Sequence, residues 1–386
     1  MTKTNSQDAT RYLALSDNLV ERAGVKPTPG GDKAFTDALI SQMRTDKLLS
    51  VSVPPAFGGP GLELAEIARI TFNVARQNGS AGLIYAMHMS QAMSVTAHGT
   101  GPFFAAFQHR MIDEQILIAS GTSEKGPGGD IFTSICNVED QADGRLRIVK
   151  ESPNISYIDN ADAILVSANG TDEKGRTRQV LAVANVNREA FKAGRDTSFM
   201  GMVGILNRPW AFTVEFPRDA VFSEAFPAIA RGTMTPVIQI LWAALWSGLA
   251  WTALDRARTF VSKELEKDAE TTQIARYELN RLTGQHHIMN SLIRSAMAEY
   301  KDRDAAADMG FSLSARINRL KVECSDIACR VCQGALMLIG IRGYATSGPY
   351  SVVEPVADAL SAPIMVSNYR LSMNTAKIEG FVDETL

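Results

Sequence analysis

Gly340, Ile341, Arg342 and Gly343 stand at the end of a long apolar-periodic stretch, inside the segment Ile339 to Arg370. Glycines there allow positive φ and let backbone N–H groups come close to a bound group, so the chemistry on offer is ligand recognition by the main chain; the same spacing also reads as a helix C-cap followed by a turn. A second cluster, Cys324, Cys329 and Cys332, has thiolate ligands for a metal as its obvious chemistry. However, Ile317, Leu320, Cys324, Ile327, Val331 and Leu338 recur at three- and four-residue steps, which is one buried helical stripe with Cys324 acting as a small core hydrophobe. A four-ligand site would need Cys136 or a distant histidine, and no second C-x-x-C supplies it, so no metal is expected. His88, among Met87, Met89 and Met93, could line a pocket, but a lone histidine between apolar residues reads first as a satisfied core residue.

The elements that must position these residues fall into three blocks. Ala34 to Leu48, Glu63 to Arg76 and Ser80 to Thr96 have helical periodicity, the first stopped by the Pro/Gly loop VPPAFGGPG at 53–61. From Ile116 the period becomes strand-like: ILIASG, LRIVKE, AILVSA, RQVLAVANV and FTVEF are short β-rich runs, as in a small antiparallel barrel or sandwich. Three long helical patterns follow from Met234, and a further helix after Pro349 closes a four-helix bundle. Helices, then strands, then helices argue for an α+β chain with segregated domains, drawn at 1–115, 116–228 and 229–386.

The most apolar run, Thr235 to Ala257, approaches bilayer length, but Gln239, Ser247 and Gly248 interrupt it and it runs on into charged helix. A helix buried on all sides of a bundle is the reading taken. A net charge of −3 and no basic run with interleaved aromatics give no pull toward nucleic acid. The polar N-terminus MTKTNSQDATRY lacks the apolar core of a secretory signal, so cytoplasmic residence is the expectation.

Several segments in order resemble the acyl-CoA dehydrogenase superfamily: VPPAFGGPG at 53–61, SEKGPGGD at 123–130, KESPNISYIDNADAILV at 150–166, SGLAWTALDRA at 247–257, and the Gly340 turn leading to ADA at 357–359. The resemblance implies an N-terminal helical domain, a middle β-domain and a C-terminal four-helix bundle, with FAD bound across two protomers of a homodimer or homotetramer. By the match, Ser123 contacts the pyrimidine edge of the flavin, Ser156 faces its central nitrogen with Asn154 or Tyr157 adding contacts, and Gly340 to Gly343 meet the dinucleotide portion of a neighbour's flavin.

Departures from the pattern carry the mechanism. Asp358 and Ala359 hold the register of the family's Arg-Asp-Ala, but Ala357 replaces its arginine, and Val366 falls where a glutamate removes the substrate's α-proton. Ile238, at the alternative base position used by some members, is equally inert. Gly129 stands where a substrate-side serine is expected, and Lys263-Glu264 occupy the place of an arginine motif. General-base removal of a carbon-acid proton is worth on the order of two to four decades of rate, so ordinary dehydrogenation is not expected with valine there. Three chemistries remain. They are oxygen insertion at a flavin, as in the superfamily's hydroxylase branch; dehydrogenation of an acyl thioester with a base drawn from Glu354 or Glu379; and a non-catalytic subunit that completes a partner's site. The substrate is a small molecule or an acyl thioester.

Overall fold

A computed structural model describes residues 3–24, 33–127, 130–171, 175–195, 197–265, 269–303 and 310–382. The first block is helical: α1 (Lys3–Ser16), α2 (Leu19–Arg22), α3 (Lys33–Thr45), α4 (Leu64–Gln77), α5 (Gly79–His98) and α6 (Gly101–Asp113). α3 stops at Thr45 rather than at Leu48, because Lys47 is left-handed (φ 57°) and residues 48–50 form a 3-10 turn. α4 starts on a capping box between Glu63 and Glu66, and α5 on Asn78, whose side chain accepts from Ala81 N.

Among the described residues, seven strands form two sheets. β1 (Ile118–Gly121), β4 (Ala163–Thr171) and β5 (Thr177–Asn185) make one, in the order β1-β4-β5; β2 (Val138–Asp140), β3 (Leu146–Ile155), β7 (Arg208–Phe216) and β6 (Phe191–Ala193) make the other. β1 pairs with β4 in parallel, Ile118 opposite Ala163, so the expected all-antiparallel sandwich is corrected on this edge. The reason is that β1 and β4 are joined by a long excursion through the other sheet, which returns the chain in the same direction. The β3–β7 register slips between Ser152 and Ile155, a bulge near the end of β3.

The last block holds α7 (Phe226–Ile229), a π turn at Ala230–Met234, and the long helices α8 (Thr235–Glu264), α9 (Ala269–Asp302) and α10 (Gly310–Ile339), then α11 (Ile341–Tyr344), α12 (Val353–Leu360) and α13 (Asn368–Ile378). The single helix expected after Pro349 is therefore two, split by the turn Ser361–Ser367. α8 is the central post, buried on every face from Gln239 to Ala250 and packed against α4, α5, α9 and α10. Its apolar run is long enough to cross a membrane, but 83% of that window is covered by protein, which accounts for the run. Gly248 sets its closest crossing: a Cβ there would lie 2.8 Å from Phe72 O and 2.9 Å from Ala75 Cβ on α4.

Candidate functional site

Ser123 and Ser156 sit at the ends of loops from the two sheets. The 2.6 Å hydrogen bond between the Ser123 and Ser152 hydroxyls, and a 3.1 Å bond from Ser123 Oγ to Asn154 O, hold the loop after β1 against the β3 bulge. Glu124 fixes that loop from behind: its carboxylate accepts from Cys136 N at 2.9 Å and from Ser134 Oγ at 2.7 Å, with Lys150 Nζ 3.8 Å away. Lys150 is sealed between the sheets and donates to Ser167 O at 2.7 Å; desolvation pulls its ammonium below the usual lysine range. Ser156 is 8% exposed, and its nearest partner is Asn207 Oδ1 at 3.5 Å, too long for a good bond. Its hydroxyl is therefore only weakly engaged.

Tyr157 is not beside it in function. The ring is wholly buried, the backbone is left-handed (φ 42°), and the hydroxyl donates to Ile118 O at 3.2 Å. Adjacent residues on a turn point apart, which puts Tyr157 in the core rather than against a ligand. Gly128 and Gly129 lie outside the described residues.

α5 packs on β1, and the chain enters α8 through the π turn. Arg231, Thr235, Ile238 and Trp242 recur at three- and four-residue steps and are less covered than the helix faces between them, apart from Trp242 at 7%. Arg231 lies over the Phe132 ring at 5.5 Å, which ties this stripe to the strand block. The π turn frees Gly232 O to accept from Tyr300 Oη and Arg303 Nη2, both at 3.2 Å, and Met234 O to accept from Ser90 Oγ at 3.1 Å. Trp242 Nε1, Gln91 Oε1 and Gln239 Oε1 are buried and have no hydrogen-bond partner among the described residues.

His88 is a core residue. Its Nε2 bonds to Leu49 O at 2.7 Å, and its Nδ1 accepts from Ile118 N at 3.0 Å, so the ring bolts the 48–50 turn to β1. Those partners require the neutral Nε2–H tautomer, and burial pulls its pKa down to about 4. A Ser247–His286–Asn290 cluster inside the bundle has the composition of a nucleophile and base, but not the polarity. Ser247 Oγ donates to Asn290 Oδ1 at 2.6 Å, and His286 Nε2 lies 3.1 Å from Ser247 O, an acceptor that requires Nε2 to carry the proton. No lone pair on that nitrogen remains to take the serine proton.

The turn after α12 carries Val366. Its side chain is 46% exposed and apolar, and its φ is +51°. A β-branched residue in the left-handed region costs on the order of 1–2 kcal/mol, so the surroundings must hold it there. Both acids considered for a relocated base are engaged. Glu379 pairs with Arg319 at 2.6 Å on the surface. Glu354 accepts from Asn78 Nδ2 at 2.6 Å at the start of α5. The buried acid that spacing did not single out is Asp358: it is 3% exposed, accepts from Met202 N at 2.5 Å, and is raised to about 7 by burial, with nearby Glu354 adding to the shift. Its signal in the sequence was the register with the family's Arg-Asp-Ala, which did not tell that it is buried. At the end of α10, Gly340 takes φ 71° and ψ −142°, a conformation for glycine, while Ile341 is exposed and Arg342 pairs with Glu264 at 2.6 Å. The cap expected there is present; Gly343 is buried, and its N–H bonds back to Gly340 O at 2.9 Å.

Helices enclosing a two-sheet middle block, with a bundle centred on one buried helix, have a counterpart among solved proteins. Residues 28–112 match the family model described as acyl-CoA dehydrogenase, N-terminal domain. Over 98% of this chain and 98% of the other, the structure superposes on butyryl-CoA dehydrogenase of Megasphaera elsdenii with a TM-score of 0.79 and 18% identity. The chain has the acyl-CoA dehydrogenase fold. FMN-bound TdsC of Paenibacillus sp. A11-2 shares this fold equally well, with a TM-score of 0.79 at 16% identity over 98% of this chain and 97% of that one. In sequence, the chain is 24% identical over 302 residues to cyclohex-1-ene-1-carbonyl-CoA dehydrogenase of Geobacter metallireducens, covering 77% of this chain and 78% of the relative. It is also 24% identical over 247 residues to dibenzothiophene monooxygenase of Mycolicibacterium goodii, covering 56% of this chain and 54% of that protein, so the match spans about half the relative's length. Within the acyl-CoA dehydrogenase fold, then, dehydrogenases and monooxygenases stand at similar distance from this chain.

Proposed function

We propose that this chain is a flavin-dependent oxidoreductase that works without a carboxylate base, oxidising a small, mainly apolar substrate by oxygen insertion. The observation that carries the reading is the pair Val366 and Ile238, apolar at both positions where the resemblance calls for a proton acceptor, with Glu354 and Glu379 each held by another partner. Valine and isoleucine leave nothing to take an α-proton, whereas oxygenation needs a dry pocket more than a base. The likeness to both TdsC and dibenzothiophene monooxygenase supports the same branch.

The residues fit a flavin. Ser156 offers a hydroxyl only weakly engaged by Asn207 and Ser123 a positioned one, as the edges of the ring require; Gly340, Ile341 and Arg342 are exposed, as a group meeting a neighbouring copy must be, while Gly343 is buried. FAD is the flavin the family pattern implies, and when bound it supplies the electron transfer and oxygen chemistry. The chain's own part is to orient the ring through Ser123 and Ser156, and to exclude water with Ile238, Trp242 and Val366. The apolar side chains Ile274, Tyr277, Ile288, Ile341 and Tyr344 lie exposed on α9 and α11, which supports a homodimer or homotetramer.

The test is to load the purified chain with FAD and, separately, FMN, reduce it, and add oxygen with a panel of aromatic heterocycles and sulfides. A hydroxylated or S-oxygenated product is the expected result. Anaerobic bleaching of the flavin by an acyl thioester would overturn the reading in favour of dehydrogenation. Failure to retain any flavin would leave a subunit that completes a partner's site.

A further inference from the structure

Lys321 is the most completely buried cation among the described residues outside the strand block, with no exposed surface, and no carboxylate lies within ion-pair distance of it. Its ammonium instead donates to Ala362 O at 2.9 Å, Val366 O at 2.8 Å and Asn368 Oδ1 at 2.7 Å. Three donors meet three acceptors, two on the turn between α12 and α13 and one on the first residue of α13, and the Trp246 ring lies 5.6 Å from Nζ. Ala362 O comes just past the C-terminus of α12, where a cation is favoured. Ser325 and Cys329, one and two turns further along α10, continue the same face. Asn368 Nδ2 donates to Ser325 Oγ at 2.9 Å, and Cys329 Sγ donates to Ala359 O at 3.1 Å. The strained Val366 is therefore held through its own carbonyl by a side chain reaching out of the bundle core.

We propose that Lys321 is a positioning residue for the candidate site: its three-way donation clamps the turn Ser361–Asn368, holds Val366 left-handed, and so shapes the wall over the flavin. The inference rests on the flavin reading above only for the last clause. Removing the clamp frees a turn whose own backbone bonds, Met365 N to Ser361 O at 2.9 Å and Asn368 N to Pro363 O at 2.9 Å, are all local. A free turn would open the wall to solvent.

The experiment uses the full chain loaded with FAD. Amide hydrogen exchange across 361–368 is compared between the native protein and Lys321→Met, together with iodide quenching of the bound flavin's fluorescence. Expected are exchange about tenfold faster in that turn alone, and quenching about twofold stronger. Asn368→Ala, which removes one acceptor and leaves the buried ammonium in place, serves if Lys321→Met does not fold, with exchange about threefold faster expected. Exchange in the turn unchanged in whichever variant folds overturns the clamp. Faster exchange with unchanged quenching overturns its link to the flavin wall. If the chain takes up no flavin, the quenching arm falls with the proposed function, while exchange still decides the clamp.

Discussion

Replacing Asp358 with asparagine isolates the cost of a buried charge at the junction of all three blocks. The carboxyl packs against Gly79 at the start of α5, where a Cβ would lie 2.2 Å from Oδ2, and accepts from Met202 N of the strand block. Burial raises its pKa from 3.8 to about 7. The native state therefore binds more protons than the unfolded chain between these values, and stability falls as pH rises through that window. Three units at about 1.4 kcal/mol each give a total of about 4 kcal/mol, over half of it lost between about pH 5 and pH 8. Asparagine keeps an oxygen for Met202 N–H and cannot ionise. Urea unfolding followed by the fluorescence of the buried Trp242 and Trp246 should give a variant-minus-native difference that grows in the variant's favour by about 2–3 kcal/mol from pH 5 to pH 8. Parallel pH curves, or a variant less stable at pH 8 by the same margin as at pH 5, would refute the reasoning.

Three other outcomes are expected. His88→Ala leaves Leu49 O and Ile118 N unpaired in the core and opens a cavity, costing on the order of 4 kcal/mol in denaturant unfolding. In the native protein His88 is neutral well below its usual range, so its contribution is complete above about pH 6.5 and is lost as pH falls toward about 4; the variant should lack that acid limb. Gly201→Ala puts a Cβ 2.4 Å from Ala357 O and 2.5 Å from its carbon, both backbone, and should lower stability by about 2–3 kcal/mol with a matching fall in melting temperature. Cys324 and Cys332, buried on α10 with thiols pushed well above their usual range, should resist a thiol reagent until the chain unfolds, with Cys136 and Cys329 reacting first.

Much of the architecture was legible because periodicity reports burial. The stripe Ile317–Leu338 predicted α10, and the apolar run from Thr235, broken only by Gln239, Ser247 and Gly248, predicted a buried bundle helix, as α8 is from Gln239 to Ala250. His88 also reads correctly from its apolar neighbours, since a polar ring there must find partners. What escaped were features set by pairing across long separations. The parallel β1–β4 edge depends on where the chain returns, and the break at Ser361–Ser367 has no proline or glycine run to announce it beyond Pro363.

The candidate site divides in the same way. The sequence by itself determined that Val366 and Ile238 cannot accept a proton, because that is a property of the side chain wherever it sits. It also determined the order of blocks and the glycine cap at Gly340. Only the tertiary structure decided that Tyr157 turns into the core while the Ser156 hydroxyl is only weakly engaged by Asn207, that Glu354 and Glu379 are already engaged, and that Lys321 reaches across to the turn of Val366. Hydrogen-bond partners and desolvation are properties of what surrounds a group, and these surroundings come from residues dozens to hundreds of positions away.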